Sequence, residues 1–156
     1  MGPLLGEEDD FGVPQLVQYA PGEKFDVHHD WYDVPQVVKS GGGRFGTGNV
    51  NEGKEGRRFN RLASFFVFLE NEGVVGGETW FPFAEVGDDV VTEEEEGKKW
   101  WRHEEGGTAF SPIAGNALFW VNLHKNGTGD GRVVHAGLKV EEGRKTAMNI
   151  WPRKFY

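Results

Sequence analysis

The stretch TAFSPIAGNALFWVNLHKNGTGDGRVVHAGLKVEEGRKTAMNIWPRKF, residues 108–155, decides the fold. Its apolar pieces TAFSP, NALFWVNL, RVVHAGLKV and KTAMNIWPRKF are separated by Gly-bearing turns, and none sustains the 3.6-residue period of an amphipathic helix. Upstream, RLASFFVFLENE at 61–72 carries a continuous aromatic and aliphatic run that predicts a buried central strand. VVGGETWFP at 74–82 follows as a strand and a broad turn. PQLVQYAPGEKFDVHHDWY at 14–32 predicts a strand pair about the Pro21-Gly22 turn. Many short strands without a tandem repeat predict a mainly β domain, a sandwich or an open barrel.

Two segments stand outside this pattern. Val38 to Asn60 is Gly-rich, carries Arg44, Arg57 and Arg58, and reads as a long surface loop of the kind that covers a binding site. Residues 85–107, which contain EEEEGKK, read as a solvated acidic insertion, a loop or short helix without chemistry. Residues 1–13 read as an acidic lead-in and 14–156 as one domain, because 156 residues support one core and twelve Phe with six Trp can fill it. A net charge of -8 opposes a general nucleic-acid role, which needs concentrated Lys and Arg. The absence of cysteine removes disulfides, thiolate nucleophiles and Cys-ligated metal sites. MGPLLGEEDD has neither the basic region nor the apolar core of a signal peptide, and no run approaches the ~18 apolar residues of a membrane span. A soluble domain without membrane contact is the expectation.

Chemistry enters with FDVHHDWY, residues 25–32. On a strand, residues i and i+2 share a face, so His28 and Asp30 can act together while His29 points the other way. An imidazole and a carboxylate on one face are two ligands of a facial triad, which requires another histidine and leaves positions open. His103 lies in the acidic insertion and His124 in a Gly-rich turn, where both read as exposed. His135 sits within the apolar RVVHAGLKV, where an unpaired imidazole would be costly, and it is the residue chosen as third ligand. Lys145 begins an apolar strand, and an inward-pointing amine there calls for an anion.

In order along the chain, YAPGEKFDVHHD, RLASFFVFL, GGETWFP, AGNALFW, VVHAGLKVEEGRK and NIW resemble the catalytic domain of the prolyl 4-hydroxylase branch of the 2-oxoglutarate and iron(II) dependent dioxygenases, over roughly residues 14–152. The resemblance implies a double-stranded β-helix, the jelly roll of cupin-like proteins, with His28, Asp30 and His135 as iron ligands. It makes Lys145 the partner of the distal 2-oxoglutarate carboxylate, sets Tyr19 and Ser64 near that carboxylate, and makes Trp151 a wall of the site. The Gly76-Gly77-Glu78-Thr79 turn is expected to serve backbone geometry. Implied with the fold are O2 as cosubstrate, ascorbate as reductant and a proline-containing peptide as substrate. The branch usually carries further helices and strands before these motifs, so part of the usual N-terminal support is expected to be missing. Two other readings remain open at this point: the same chemistry on another side chain or a free small molecule, and a noncatalytic metal-binding jelly roll.

Overall fold

The computed structural model describes residues 11–38, 56–85 and 99–156. Most of the acidic lead-in, Arg44 with most of the long loop, and the EEEEGKK run up to Lys98 lie outside the described residues.

Strands are numbered in chain order. One antiparallel sheet runs β1 (Gln15–Tyr19), β13 (Lys145–Ile150), β5 (Ala63–Glu70), β10 (Ala117–Val121). A second runs β2 (Phe25–His28), β11 (His135–Gly137), β7 (Thr79–Phe81), β9 (Thr108–Phe110), β8 (Trp100–Arg102), also antiparallel. Smaller pairings join β6 (Val75–Gly76) to β12 (Val140–Glu142), and set β4 (Arg57–Arg61) between β14 (Arg153–Phe155) and β3 (Gln36–Val38). The core lies between the two large sheets, where Phe66 and Phe68 of β5, Trp120 of β10 and Ala147 of β13 meet Phe81 of β7. This is the jelly roll expected from the sequence. Among the described residues no helix is long and apolar enough to cross a membrane.

Four local expectations are corrected. β1 and β2 do not pair with each other: β1 joins β13, β2 joins β11, and the Pro21-Gly22 turn carries the chain from one sheet to the other. Gly22 makes this step at φ +90, a left-handed conformation that favours glycine, while its N–H donates to Val140 C=O at 2.8 Å. β5 is not buried on both faces, since Phe66 and Phe68 point into the core whereas Phe65 and Leu69 are 37% and 45% exposed. The SFFVFL run therefore follows the period-2 rule despite its unbroken apolarity. The ends of the long loop are strands, because Val38 pairs with Arg57 and Gln36 with Phe59. The close of the acidic insertion is strand as well, with Trp100–Arg102 paired to Phe110–Thr108. Ahead of β1, Phe11 bridges to Pro152 and the Gly12 N–H donates to Trp151 C=O, so the chain is tied to the fold before residue 13.

Candidate metal centre

Cross-strand pairing builds the site. β11 lies beside β2 with His135 directly opposite His28, which sets the two imidazoles 4.3 Å apart between ring centroids. Each ring is fixed in the same way: His28 Nδ1 lies 2.8 Å from Asp26 C=O, and His135 Nδ1 lies 2.9 Å from Val133 C=O. A carbonyl only accepts, so in the neutral rings Nδ1 carries the proton and Nε2 presents a lone pair. Both Nε2 atoms face the same oxygen, Asp30 Oδ1, at 3.8 and 3.9 Å. These three ligand atoms lie within 4.8 Å of one another.

Strand alternation does not explain how Asp30 gets there. β2 ends at His28, and Asp30 lies in the bend that follows, its side chain turned inward and only 6% exposed. His29 leaves in another direction. Its Nδ1 bonds Trp31 C=O at 2.9 Å, its ring stacks on Trp31 at 4.0 Å, and its Nε2 lies 3.8 Å from Asp33, although the residue still contributes to the cavity rim. His103 packs on Trp80 and His124 sits beside Asp130, and neither joins the cluster.

The donor set fits a divalent transition metal. Three lone-pair atoms converge with no hydrogen between them, an arrangement that repels itself unless a cation or a proton is supplied. Burial pushes the His135 pKa below the ordinary imidazole value, a shift opposed by the Asp30 charge, and so favours the neutral ring that a metal requires. Phe81 and Trp120 pack against the His135 ring at 5.3 and 4.7 Å and hold it in place.

The other oxygen of Asp30 is already engaged. Oδ2 accepts hydrogen bonds from Ser64 Oγ and, at 3.1 Å, from the Trp151 indole N–H. Ser64, expected near the far carboxylate of 2-oxoglutarate, bonds Asp30 here, because β5 runs antiparallel to β13 and sets Ser64 near the end of β13 remote from Lys145. Trp151 lines the cavity, as a wall would, but its polar edge serves Asp30. Arg61, not singled out in the sequence, stacks over Trp151 at 3.5 Å and donates to Asp30 C=O at 3.3 Å.

Lys145 borders the same cavity of about 370 Å³. It is 2% exposed, and its Nζ donates to Gly77 C=O at 2.6 Å. The rings of Tyr19, Phe66 and Phe68 stand 5.1 to 5.5 Å from Nζ. Desolvation pushes the ammonium down to about 8, with Glu78 opposing that shift. No carboxylate among the described residues pairs with it. Tyr19, directly opposite Lys145 in the sheet, also borders the cavity, and burial raises its hydroxyl pKa. Thr79, which the sequence reads as part of a backbone turn, borders the cavity at 2% exposure, and its hydroxyl has no hydrogen-bond partner among the described residues. The available signal was its place on an inward strand position immediately after the Gly76-Gly77 turn. Those glycines remain necessary: a Cβ at Gly76 would lie 2.4 Å from Lys139 C=O, and one at Gly77 3.0 Å from Val140.

A triad and a buried ammonium that no carboxylate among the described residues pairs with, sharing one jelly-roll cavity, define the class. Residues 14–153 match the model of the 2OG-Fe(II) oxygenase superfamily, and the chain belongs to that family. Membership implies dependence on iron(II) and 2-oxoglutarate. A relative named Probable prolyl 4-hydroxylase 4 from Arabidopsis thaliana is 30% identical over 138 residues, 88% of this chain and 40% of its own length. Prolyl 4-hydroxylase subunit alpha-3 from Homo sapiens is 28% identical over 145 residues, 90% of this chain and 19% of its own length. The chain thus spans about two fifths or less of the curated relatives it matches. Among solved structures, the viral collagen prolyl hydroxylase of Paramecium Bursaria Chlorella virus-1 in its 2OG complex shares the fold at TM-score 0.56 and 23% identity, covering 92% of this chain and 59% of that one.

Proposed function

We propose that this chain is a 2-oxoglutarate-dependent hydroxylase of peptidyl proline, coupling oxygen insertion to decarboxylation of 2-oxoglutarate to succinate and CO2. One observation carries the reading: a single cavity presents three converging ligand atoms and a buried ammonium that no carboxylate among the described residues pairs with. A dicarboxylate that ligates a metal at one end and meets Lys145 at the other satisfies both.

Bound there, iron(II) with 2-oxoglutarate and O2 would supply the oxidative chemistry, with ascorbate as a candidate reductant. The chain's own residues bind and orient. His28 and His135 would give Nε2, and Asp30 would give Oδ1. Lys145 would hold the far carboxylate, with the Thr79 and Tyr19 hydroxyls on the same cavity wall as further donors. Phe66 and Trp120 line the space and limit the water that would compete for these contacts. Retention of Asp30 supports hydroxylation over halogenation, which needs the carboxylate position for a halide. Proline as the target is supported by the names of the relatives.

The test is incubation of iron-loaded protein with 2-oxoglutarate, ascorbate and a library of proline-containing peptides. Mass spectrometry is expected to find one added oxygen on proline, with matching succinate. Oxygen added only to other residues or to free metabolites would move the substrate assignment, and metal binding without succinate would leave a noncatalytic module.

A further inference from the structure

Asp30 is supported by a polar relay that begins on the far side of the core. Asn122 follows β10 and Ser64 lies in β5, and both side chains are 0% exposed. Asn122 Nδ2 donates to Ser64 Oγ at 2.9 Å, and Ser64 Oγ bonds Asp30 Oδ2. The direction of these bonds is forced. A metal-ligating carboxylate only accepts, so the single hydroxyl hydrogen of Ser64 goes to Asp30 and its oxygen is left to accept from an amide N–H. That requirement turns the Asn122 amide so that Oδ1 is buried without a partner among the described residues. Backbone bonds hold Asn122 on both sides: its N–H donates to Leu62 C=O at 2.8 Å and its C=O accepts from Asp130 N–H at 2.9 Å.

An orphaned amide oxygen in the core is costly, and apolar residues would fill the same space without that cost. Its presence suggests that the relay serves the carboxylate. With Ser64 and Trp151 both donating to Oδ2, only Oδ1 remains directed at His28 and His135. We propose that Asn122 and Ser64 are positioning residues that confine Asp30 to one-oxygen ligation, keeping open a coordination position that a chelating carboxylate would occupy. The proposal rests on the metal-site reading above.

The test uses the full chain loaded with Co(II) without oxygen, in wild type and in Ser64→Ala, Ser64→Thr and Asn122→Leu. Infrared difference spectra of metal binding report the separation of the asymmetric and symmetric carboxylate stretches, which narrows when a second oxygen joins the metal. Calorimetry reports 2-oxoglutarate affinity. Ser64→Ala is expected to narrow the separation and weaken 2-oxoglutarate binding about 10- to 100-fold, with Ser64→Thr restoring both. Asn122→Leu removes the orphaned oxygen, so it is expected to keep the thermal midpoint while moving both readouts in the Ser64→Ala direction. It also carries the test if Ser64→Ala does not fold. Unchanged stretches and affinity in the folded variants overturn the relay. A wild type that binds neither Co(II) nor 2-oxoglutarate instead overturns the metal-site reading beneath it.

Discussion

His28 and His135 stand opposite each other on neighbouring strands, each ring tied through Nδ1 to the carbonyl two residues before it, and both turn Nε2 toward one oxygen of Asp30. The repeated tether fixes the tautomer as well as the aim, so both rings hold an Nε2 lone pair toward the same point.

Acid stability should report this arrangement. The folded pKa of His135 lies below that of the unfolded chain, so its contribution is complete above about 6.5 and is lost as pH falls through the folded value. In metal-free protein, the wild type should lose more stability on acidification than His135→Gln, as measured by urea midpoints. Equal losses would show that no neutral imidazole is buried there.

Lys145 has an opposite effect on fold and function. Its pKa is depressed to about 8, so its contribution to stability is complete only above the unfolded value of 10.5 and is lost as pH falls through about 8. At neutral pH the fold carries a charge it would shed. Lys145→Met should therefore hold or raise the thermal midpoint while weakening 2-oxoglutarate binding roughly 10- to 100-fold, the scale of a charge-assisted hydrogen bond. Wild-type affinity should be flat below about pH 8 and decline above it, as the ammonium is lost. An affinity independent of pH across that range counts against the pairing.

The two faces of β5 and β10 should differ sharply on truncation. Phe68 is 1% exposed in the core, and Phe68→Ala should cost about 3–5 kcal/mol in urea unfolding. Phe119, 57% exposed on the outer face beside Phe65, should cost well under half as much. Similar costs would mean that the outer face is covered in solution.

Gly77 couples the fold to the ammonium. It holds φ +71, and its C=O accepts from Lys145. Gly77→Ala should cost about 1–2 kcal/mol from the left-handed conformation alone. It should also weaken 2-oxoglutarate binding, because relieving the 3.0 Å approach of the new Cβ to Val140 would shift the Gly77 C=O that accepts from Lys145. Calorimetry separates the two effects, and unchanged binding would argue that Lys145 does not face the cosubstrate.

Local chemistry was legible where residue type alone limits the choices. His135 in an apolar run, and Lys145 at the start of another, each demanded a partner whatever the topology. The six ordered motifs then led to the jelly roll. What escaped the sequence depended on contacts distant along the chain. β1 and β2 look like a hairpin because the Pro21-Gly22 turn is local, whereas their pairing with β13 and β11 is not. The sequence leads to a place for Ser64 near the 2-oxoglutarate carboxylate and gives no sign of its hydrogen-bond partners, Asp30 and Asn122, which are 34 and 58 positions away. Asp30 reached the site by leaving the strand, a bend that alternation cannot describe, and Thr79 was hidden behind the glycines that precede it.

The most direct measurement is metal-dependent binding of 2-oxoglutarate, by calorimetry without oxygen, to wild type, His28→Ala and His29→Ala. Wild type and His29→Ala should bind 2-oxoglutarate only when Fe(II) is present, and His28→Ala should not bind it measurably. Retained binding in His28→Ala, or equal loss in both variants, would contradict the assignment of His28, Asp30 and His135 as the metal centre.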